Sequence, residues 1–304
     1  MGRMRYHSPV LLSECIEGLN LKPNGIYVDV TFGGGGHSKE IMKYLEQGKL
    51  FAFDQDCDAH RNNLNQDRFK LIDANFRFLK NFLRLEGVRK VDGILADLGV
   101  SSHQFDVAER GFSTRFEGDL DMRMNPNSDL TAKEVVNNYS QKNLANVLYK
   151  YGELKNSRRI ANDIINARSI SEINTTKDLI AVISEIVAEK HRNQFLARVF
   201  QAIRIEVNDE VAALEEMLLS AVEILKPGGR LVVISYHSLE DRLIKNLMKK
   251  GNLEGKMAKD FYGNPIKDLI EVNRKVIVAS SEEIADNSRA RSAKLRVAEK
   301  INEN

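Results

Sequence analysis

The chain has 304 residues, with 45 basic and 43 acidic side chains and a formal net charge of +2. This length predicts one large domain or two, and the small net charge excludes a globally basic nucleic-acid binder, so any basic surface has to be local. Two cysteines exclude a disulfide scaffold and a four-cysteine zinc site. We see no secretory leader and no long uncharged apolar stretch, and therefore expect a cytoplasmic protein without a membrane partner.

Apolar strands and amphipathic helices alternate through the first hundred residues. The predicted strands cover 26–30, 50–53, 69–72 and 91–96, and the helices between them cover 38–47, 56–65 and 76–86. Alternation with this spacing is typical of βαβ units and predicts a parallel sheet, the basis of an α/β fold.

The alternation stops between residues 105 and 204. Helical patterns follow one another there, at 131–139, 141–149, 157–167, 176–189 and 195–203, and a capping box of Thr131 and Glu134 opens the first. Afterwards come a helix over 210–225, a sharp turn at 226–229, a strand over 230–234, a helix from Ser238, and two closing antiparallel strands at 272–279 and 293–298. We therefore predict a sheet domain built from residues 1–104 and 205–304, with an all-helical insertion at 105–204 that is a candidate RNA-recognition domain.

A run of glycines follows the first strand, which itself contains Asp29. The run consists of Gly33, Gly34, Gly35 and Gly36, and His37 comes next. Glycines let the backbone approach a ligand closely, and the following helix N-terminus offers free N–H groups. Asp54 closes the second strand, 21 residues after Gly33, where a carboxylate can accept hydrogen bonds from ribose hydroxyls. The pattern predicts an adenosine-type cofactor; the alternative is a tight turn in a non-binding α/β protein.

The glycine spacing narrows the choice of cofactor. Neither register of the run provides the third glycine of the dinucleotide motif G-x-G-x-x-G, and the phosphate-binding loop G-x-x-x-x-G-K-[ST] is also missing. The remaining pattern, Asp29-x-Thr31-x-Gly33-x-Gly35, is close to that of class I S-adenosylmethionine (SAM) methyltransferases. It departs at Thr31, where many of those enzymes have glycine.

Asp97 closes the fourth strand and is the candidate catalytic residue. If the methyl acceptor is the exocyclic nitrogen of a base such as cytosine, that nitrogen is a poor nucleophile, because its lone pair is delocalised into the ring. A carboxylate that accepts its N–H groups favours a more nucleophilic nitrogen, and its charge favours a cationic methyl donor. The alternative role of Asp97 is that of a ribose-binding or structural acid.

The cysteines bear on which cytosine atom is methylated. Methylation at carbon 5 needs a nucleophilic cysteine that attacks the ring. Cys15 belongs to an early amphipathic segment and Cys57 follows Asp54, so neither lies at the fourth strand or beyond. If the substrate is cytosine, we expect the target to be nitrogen.

Tyr236 and His237 follow the fifth strand. Tyr236 is a candidate for stacking on an extruded base, and His237 for positioning phosphate or base. The alternative is that both are residues of a helix start capped by Ser238 and Asp241. We expect no metal site, because the histidines at strand ends do not complete a trio of ligands.

The chain resembles the bacterial RsmH (MraW) methyltransferases from about His7 to Lys300. The resemblance is carried by eight motifs in order: 31–37 (TFGGGGH), 97–102 (DLGVSS), 109–112 (ERGF), 120–124 (LDMRM), 200–204 (FQAIR), 225–231 (LKPGGRL), 238–242 (SLEDR) and 289–292 (RARS). It implies SAM-dependent N4-methylation of a cytosine in the decoding centre (P-site region) of 16S ribosomal RNA, in the small ribosomal subunit. It also implies a seven-stranded, Rossmann-like methyltransferase sheet with an inserted helical domain. Ser288 departs from the family, which often has proline there.

The resemblance also implies roles for single residues. On the cofactor side these are Gly35, Gly36, His37, Asp54, Phe76, Asp97 and Gln104, beside the other glycines of the run. On the RNA side, the candidates that motif positions and strand ends suggest are Ser101, Ser102, His103, Arg123, Tyr236, His237, Arg289 and Arg291. Phe76 has plain core packing as its alternative.

Basic residues cluster locally and are either solvated faces or a rim that grips RNA phosphates. The clusters are Arg3, Arg5 and His7; Lys245, Lys249, Lys250, Lys256 and Lys259; Arg289, Arg291, Lys294 and Arg296; and, in the helical insertion, Lys190, His191, Arg192, Arg198 and Arg204. Two other functions remain open from the sequence: a nucleotide-dependent oxidoreductase on the same fold, and a non-catalytic RNA-binding assembly factor.

Overall fold

Seven strands form one mixed sheet in the computed structural model, which describes residues 9–301. The strands are β1 (Ile26–Asp29), β2 (Lys49–Asp54), β3 (Phe69–Asp73), β4 (Val91–Asp97), β5 (Leu225–Ser235), β6 (Leu269–Glu271) and β7 (Lys294–Lys300). Their order is β3-β2-β1-β4-β5-β7-β6, and β7 runs antiparallel to both of its neighbours while the other pairs are parallel. Arg3, Arg5 and His7 lie outside the described residues.

The helices divide between the two faces of this sheet and a separate bundle. In chain order they are α1 (Leu12–Leu19), α2 (Gly36–Lys43), α3 (Leu79–Leu85), α4 (Ser102–Asp106), α5 (Ala132–Asn138), α6 (Gln141–Gly152), α7 (Ser157–Ile170), α8 (Thr176–Ile183), α9 (Glu189–Asn208), α10 (Glu210–Ile224), α11 (Ser238–Lys250) and α12 (Ser281–Asp286). None of the helices within residues 9–301 combines the length and the apolar character that crossing a bilayer requires.

Successive side chains of a strand point to opposite sides of a sheet, and here helices cover both sides. In β1, Val28 packs with α3, α10 and α11, whereas Tyr27 packs with α1 and α2 on the other face. Phe51 and Leu50 of β2 divide in the same way. The result is a three-layer arrangement that holds the strand ends in fixed positions.

The chain divides into two compact units, one made of residues up to Gly99 and from Val211 onward, the other of Val100–Glu210. The second unit has its own apolar core, which includes Leu144, Ile160 and Val199. The unit is longer at both ends than the insertion predicted at 105–204, because Val100 and Val207 also pack into its core.

Four local predictions were wrong. Residues 226–229 belong to β5 rather than to a separate turn: Val91 pairs with Leu225 and Gly93 with Arg230, so the segment bulges out of register. The strand expected at 272–279 is β6, a few residues earlier. The helix expected over 56–65 is one 3₁₀ turn, Ala59–Asn62. The helix expected over 176–189 is α8, which begins at Thr176 but ends at Ile183; the side chain of Thr175 caps it and accepts a hydrogen bond from the backbone N–H of Asp178.

Candidate active site

Acidic side chains end four adjacent strands of the sheet, including β3, which ends at Asp73. Asp29 ends β1, Asp54 ends β2 and Asp97 ends β4, while Ser235 ends β5 next to β4. The sheet order places β1 between β2 and β4, and all four strands are parallel. Their carboxyl ends therefore share one edge, which is where ligands of open α/β sheets bind.

The glycine run forms the turn between β1 and α2. Gly33 and Gly35 have φ of 50° and 72°, in the left-handed region that glycine tolerates best. Gly34 lies between them in the turn, and α2 begins at Gly36. A Cβ on Gly35 would lie 2.8 Å from the Phe32 ring. Both the conformation and the space thus require glycine at Gly35, which is buried, while the backbone of Gly33, Gly34 and Gly36 is partly exposed.

The Asp54 carboxylate holds this turn in place. Its Oδ2 accepts a hydrogen bond from the Gly33 backbone N–H at 2.8 Å, and its Oδ1 accepts one from the Asp56 N–H at 2.9 Å. Burial raises the pKa of Asp54 to about 6, against the lowering effect of these two hydrogen bonds. Each carboxylate oxygen keeps a further lone pair, so the group can also accept hydroxyl donors.

The Asp29 side chain links the glycine turn to α2 through hydrogen bonds. Its carboxylate accepts hydrogen bonds from the Thr31 N–H at 3.1 Å and from the Ser38 hydroxyl at 2.7 Å. Burial of the side chain, which is 1% exposed, raises its pKa. Asp29 is therefore an internal support of the site.

Asp97 is held at three points. Its backbone N–H donates to the Thr31 hydroxyl oxygen at 2.6 Å, its Oδ1 accepts a hydrogen bond from the Tyr236 hydroxyl at 2.7 Å, and its Oδ2 lies 3.9 Å from Nδ1 of His37. Burial raises the pKa of Asp97, while His37 and Tyr236 act to lower it. Thr31, the departure from the motif, thus has a structural purpose that the sequence alone did not reveal.

His37 is fixed by the backbone of the segment before α1. Its Nε2 lies 3.0 Å from the Val10 carbonyl oxygen. Because a carbonyl oxygen only accepts hydrogen bonds, Nε2 carries a proton, and Nδ1 is the ring nitrogen that faces Asp97. This buried histidine places a polar ring beside the carboxylate.

Tyr236 and His237 lie at the start of α11, and their environments differ. The Tyr236 ring packs over Gly99, where a Cβ would meet the ring at 3.4 Å. Burial and the Asp97 carboxylate raise the pKa of Tyr236 well above its usual value, so the hydroxyl remains a donor. His237, rather than Ser238, caps α11: its Nδ1 accepts from the Glu240 N–H at 3.4 Å, and the predicted cap of Ser238 and Asp241 was wrong.

Phe76 opens the 3₁₀ turn before α3 and is partly buried against the core under the sheet. The preceding Asn75 donates a hydrogen bond to the Gln55 side-chain oxygen at 2.9 Å. This bond ties the segment after β3 to the segment after β2, so Phe76 is held at the same edge as Asp54.

Four predicted residues form the first turn of α4 in the helical unit. Ser101 is the N-cap, and it exchanges hydrogen bonds with Gln104 in a capping box. Ser102 and His103 follow the cap within the helix. Gln104 is buried in this arrangement.

The predicted arginines have different surroundings. Arg123 binds the Asp121 carboxylate through Nε and Nη2, and its Nη1 donates to the Ser128 carbonyl at 2.7 Å. Arg289 and Arg291 lie in the 3₁₀ turn Ser288–Ser292 before β7, where Arg291 is exposed and Arg289 half-buried.

The strand order, the antiparallel β7, the glycine turn after β1 and the acids that end β2 and β4 define a class I SAM-dependent methyltransferase. The chain belongs to the MraW methylase family, which it matches over residues 4–301. The fold class, the family and the SAM dependence predicted from the sequence are thereby confirmed.

Individual relatives are similar over nearly their whole length. The chain is 58% identical over 296 residues to ribosomal RNA small subunit methyltransferase H of Phocaeicola vulgatus, which covers 97% of each chain. It is 58% identical over 302 residues to the protein of that name from Flavobacterium johnsoniae, covering 98% of this chain and 99% of the relative. Among solved structures, an rRNA methylase from Streptococcus thermophilus is 12% identical with a TM-score of 0.40, covering 96% of this chain and 94% of the other.

Proposed function

We propose that this enzyme methylates the exocyclic N4 atom of a cytosine in the decoding centre of 16S rRNA, in the P-site region of the small ribosomal subunit. The names of the relatives support small-subunit rRNA as the substrate. The cytoplasm, where ribosomal subunits are assembled in bacteria, is the location that this substrate implies.

The residues at the strand ends fit SAM, which supplies an electrophilic methyl group on a sulfonium. The turn of Gly33–Gly36 offers partly exposed backbone without side chains at Gly33, Gly34 and Gly36, and the Asp54 carboxylate has lone pairs left for ribose hydroxyls. We assign Phe76 to the adenine side, because it lies at the same edge as Asp54. His37 lies beside Asp97 at the same edge, and the assignment of Gln104 as a cofactor contact rests on the family resemblance alone.

The single observation that carries the proposal is the fixed orientation of the Asp97 carboxylate. One lone pair of Oδ1 is taken by Tyr236, and the remaining lone pairs can accept the N–H groups of the target amine. A carboxylate held in this way stabilises the positive charge that develops on nitrogen during in-line methyl transfer, without reorganising at that moment. Positioning of the two reactants at this edge supplies the rest of the rate enhancement.

The cysteines support nitrogen rather than carbon 5 as the target. Burial, together with the nearby charges of Asp97 and other acids, raises the pKa of Cys15 well above its usual value. A neutral, fully buried thiol is a poor nucleophile, because the thiolate is the reactive form. Cys57 is exposed, in the segment after β2.

The RNA contacts proposed from the sequence remain proposals. Ser101, Ser102 and His103 belong to the α4 start, and Tyr236 and His237 to the α11 start. Arg291 is exposed and available to a phosphate. The intramolecular bonds of Arg123 and the half-buried position of Arg289 make these two weaker candidates, because an RNA phosphate would have to compete for Arg123.

The test is transfer of labelled methyl groups from SAM to small ribosomal subunits from cells that lack this enzyme, followed by nucleoside analysis and mapping of the modified position. We expect N4-methylcytidine at one cytosine of the decoding centre. Recovery of 5-methylcytidine would overturn the chemistry, and a modified cytosine elsewhere in 16S rRNA would overturn the assigned position.

A further inference from the structure

The segment 256–267, which we call the aromatic hairpin, exposes two adjacent aromatic side chains. Phe261 is 97% exposed and Tyr262 is 85% exposed. Their rings meet edge to face at 5.5 Å between centroids. Large aromatic side chains on a protein surface indicate an interaction site when they are held in place, and here they are.

The hairpin is a built structure. Lys259 and Pro265 form an antiparallel bridge, and the Ile266 N–H donates to the Ala258 carbonyl at 2.9 Å. Asp260 fixes the tip: its Oδ1 accepts from the backbone N–H groups of Tyr262 at 2.9 Å and of Asn264 at 2.8 Å. The two rings are thus presented on an ordered turn, so binding through them costs little ordering entropy.

The charge of the hairpin is positive. Lys256, Lys259 and Lys267 form no ion pair with any residue of the described range 9–301, whereas the one acid of the hairpin, Asp260, is engaged by the turn. Unpaired lysines next to exposed aromatic rings are the combination that binds single-stranded nucleic acid, with phosphates on the lysines and bases on the rings.

The hairpin lies at the opposite edge of the sheet from Asp97. Helix α11 leaves the carboxyl end of β5 and runs 13 residues, about 20 Å, before the hairpin begins. The strand after the hairpin starts at Leu269, which pairs with Lys300, while Ser235 pairs with Lys294 at the other end of β7. RNA bound at the hairpin is therefore not the target nucleotide.

We propose that the aromatic hairpin is a second RNA-binding surface, where Phe261 and Tyr262 stack on unpaired rRNA bases and the three lysines bind flanking phosphates. The inference rests on the proposed rRNA substrate and extends it to a distant anchoring contact. A protein partner fits less well, since protein interfaces bury about 800 Å² per side around a centre depleted in lysine, and this surface is a narrow lysine-flanked tip.

The experiment measures binding of the enzyme to small ribosomal subunits over a range of salt concentrations, together with methyl transfer. We expect the double variant Phe261→Ala/Tyr262→Ala to bind at least about fivefold more weakly, the value of one base stack, with kcat and SAM affinity unchanged. The variant Phe261→Tyr/Tyr262→Phe keeps the ring faces and should bind like the wild type. Leu85→Ala, which removes an exposed apolar side chain of the same unit, is the matched control.

Replacing the lysines should change the salt dependence of binding, which the aromatic substitutions should not. Replacing Lys256, Lys259 and Lys267 by glutamine should reduce the slope of log affinity against log salt by about 0.7 for each phosphate that the variant no longer neutralises, whereas the aromatic variant should leave that slope unchanged. Unchanged affinity in both variants would overturn the inference, as would crosslinks from position 262 to a ribosomal protein instead of rRNA. Failure of the wild-type enzyme to methylate small subunits would instead overturn the proposed function, so the two failures are distinguishable.

Discussion

Buried charge is distributed unequally between the two units of the molecule. The sheet unit buries Asp29, Asp92 and Glu240, each with a hydrogen-bonding partner. Within residues 9–301, the buried polar side chains of the helical unit are uncharged: Gln104, Ser113, Ser157 and Thr176. Because burying a charge costs free energy, its retention in the sheet unit is consistent with the active site proposed there, while the helical unit is built mainly by apolar packing.

The largest effect is expected for a substitution at the carboxyl end of β4, and its control lies at the amino end of the same strand. We expect Asp97→Asn to lower kcat by about 100-fold to 1,000-fold, because the neutral amide no longer stabilises the charge developing on the amine. Asp92→Asn is the matched control, since Asp92 lies at the amino end of β4 and accepts a hydrogen bond from Lys226 at 2.6 Å. It should lower stability but leave kcat unchanged; equal losses of kcat would contradict the division of roles.

Removing the hydroxyl that holds Asp97 should have the next largest effect. Tyr236→Phe removes one hydrogen bond to the Asp97 carboxylate. We therefore expect kcat to fall about 10-fold to 100-fold, with the KM for SAM nearly unchanged. The measurement is steady-state kinetics at saturating RNA and SAM. Unchanged kcat would show that the contact is not needed for transfer.

The same variant should also shift the pH profile. Burial raises the pKa of Asp97, Asp29 and Glu240 raise it further, and His37 and Tyr236 lower it. The charge of Asp97 also acts on the neighbouring Cys15, where it helps to raise the pKa of the thiol. Loss of the Tyr236 bond removes a lowering influence, so the acidic limb of kcat moves to higher pH, because transfer requires the ionised carboxylate. A merely structural defect would lower kcat without moving the limb.

Cofactor binding should depend on pH through Asp54. With a pKa of about 6, this carboxyl is largely protonated at pH 5 and ionised at pH 7, and only the ionised form accepts hydrogen bonds from both ribose hydroxyls. Calorimetry should show affinity for SAM rising about tenfold between these pH values. Asp54→Asn should bind weakly and without this pH dependence; a variant that keeps the dependence would exclude Asp54 as its source.

The smallest effect is expected in the helical unit. The Asp121 carboxylate raises the pKa of Arg123 and binds it in a bidentate pair that is about a quarter exposed. Arg123→Lys should therefore lower the unfolding free energy by only about 1 kcal/mol, with kcat unchanged. A weaker salt dependence of subunit binding in Arg123→Gln, which unlike Arg123→Lys removes the positive charge, would show that Arg123 also contacts phosphate, as the sequence suggested.

Long periodic elements were predictable from the sequence, and short non-local ones were not. The apolar runs of β1, β2 and β4 stand out because each is buried on both faces. Strand β6 has only three residues, and its position depends on pairing with β7 rather than on its own composition. In β5, the Pro227-Gly228 pair indicated a turn, because the sequence does not reveal that the partner strand tolerates a bulge.

The positions of the candidate site residues at strand ends were predictable from the sequence, but the contacts between these residues were not. Glycine and acid spacing identified Gly35, Asp54 and Asp97, since those positions follow from strand ends. The bonds of Thr31 and Tyr236 to Asp97 join three strand ends that lie far apart in sequence, so no local pattern encodes them. The departure of Thr31 from glycine was the one available signal.

The pairing of β4 with β5 has a consequence for synthesis of the chain. The two strands are adjacent in the sheet, yet β5 follows about 130 residues after β4. During translation β4 therefore remains without β5 for roughly 10 s, with the backbone groups along one of its edges unpaired. The intervening helices, whose contacts are local, can fold meanwhile on the ribosome, so the sheet edge that carries Asp97 is completed only after the helical unit has been synthesised.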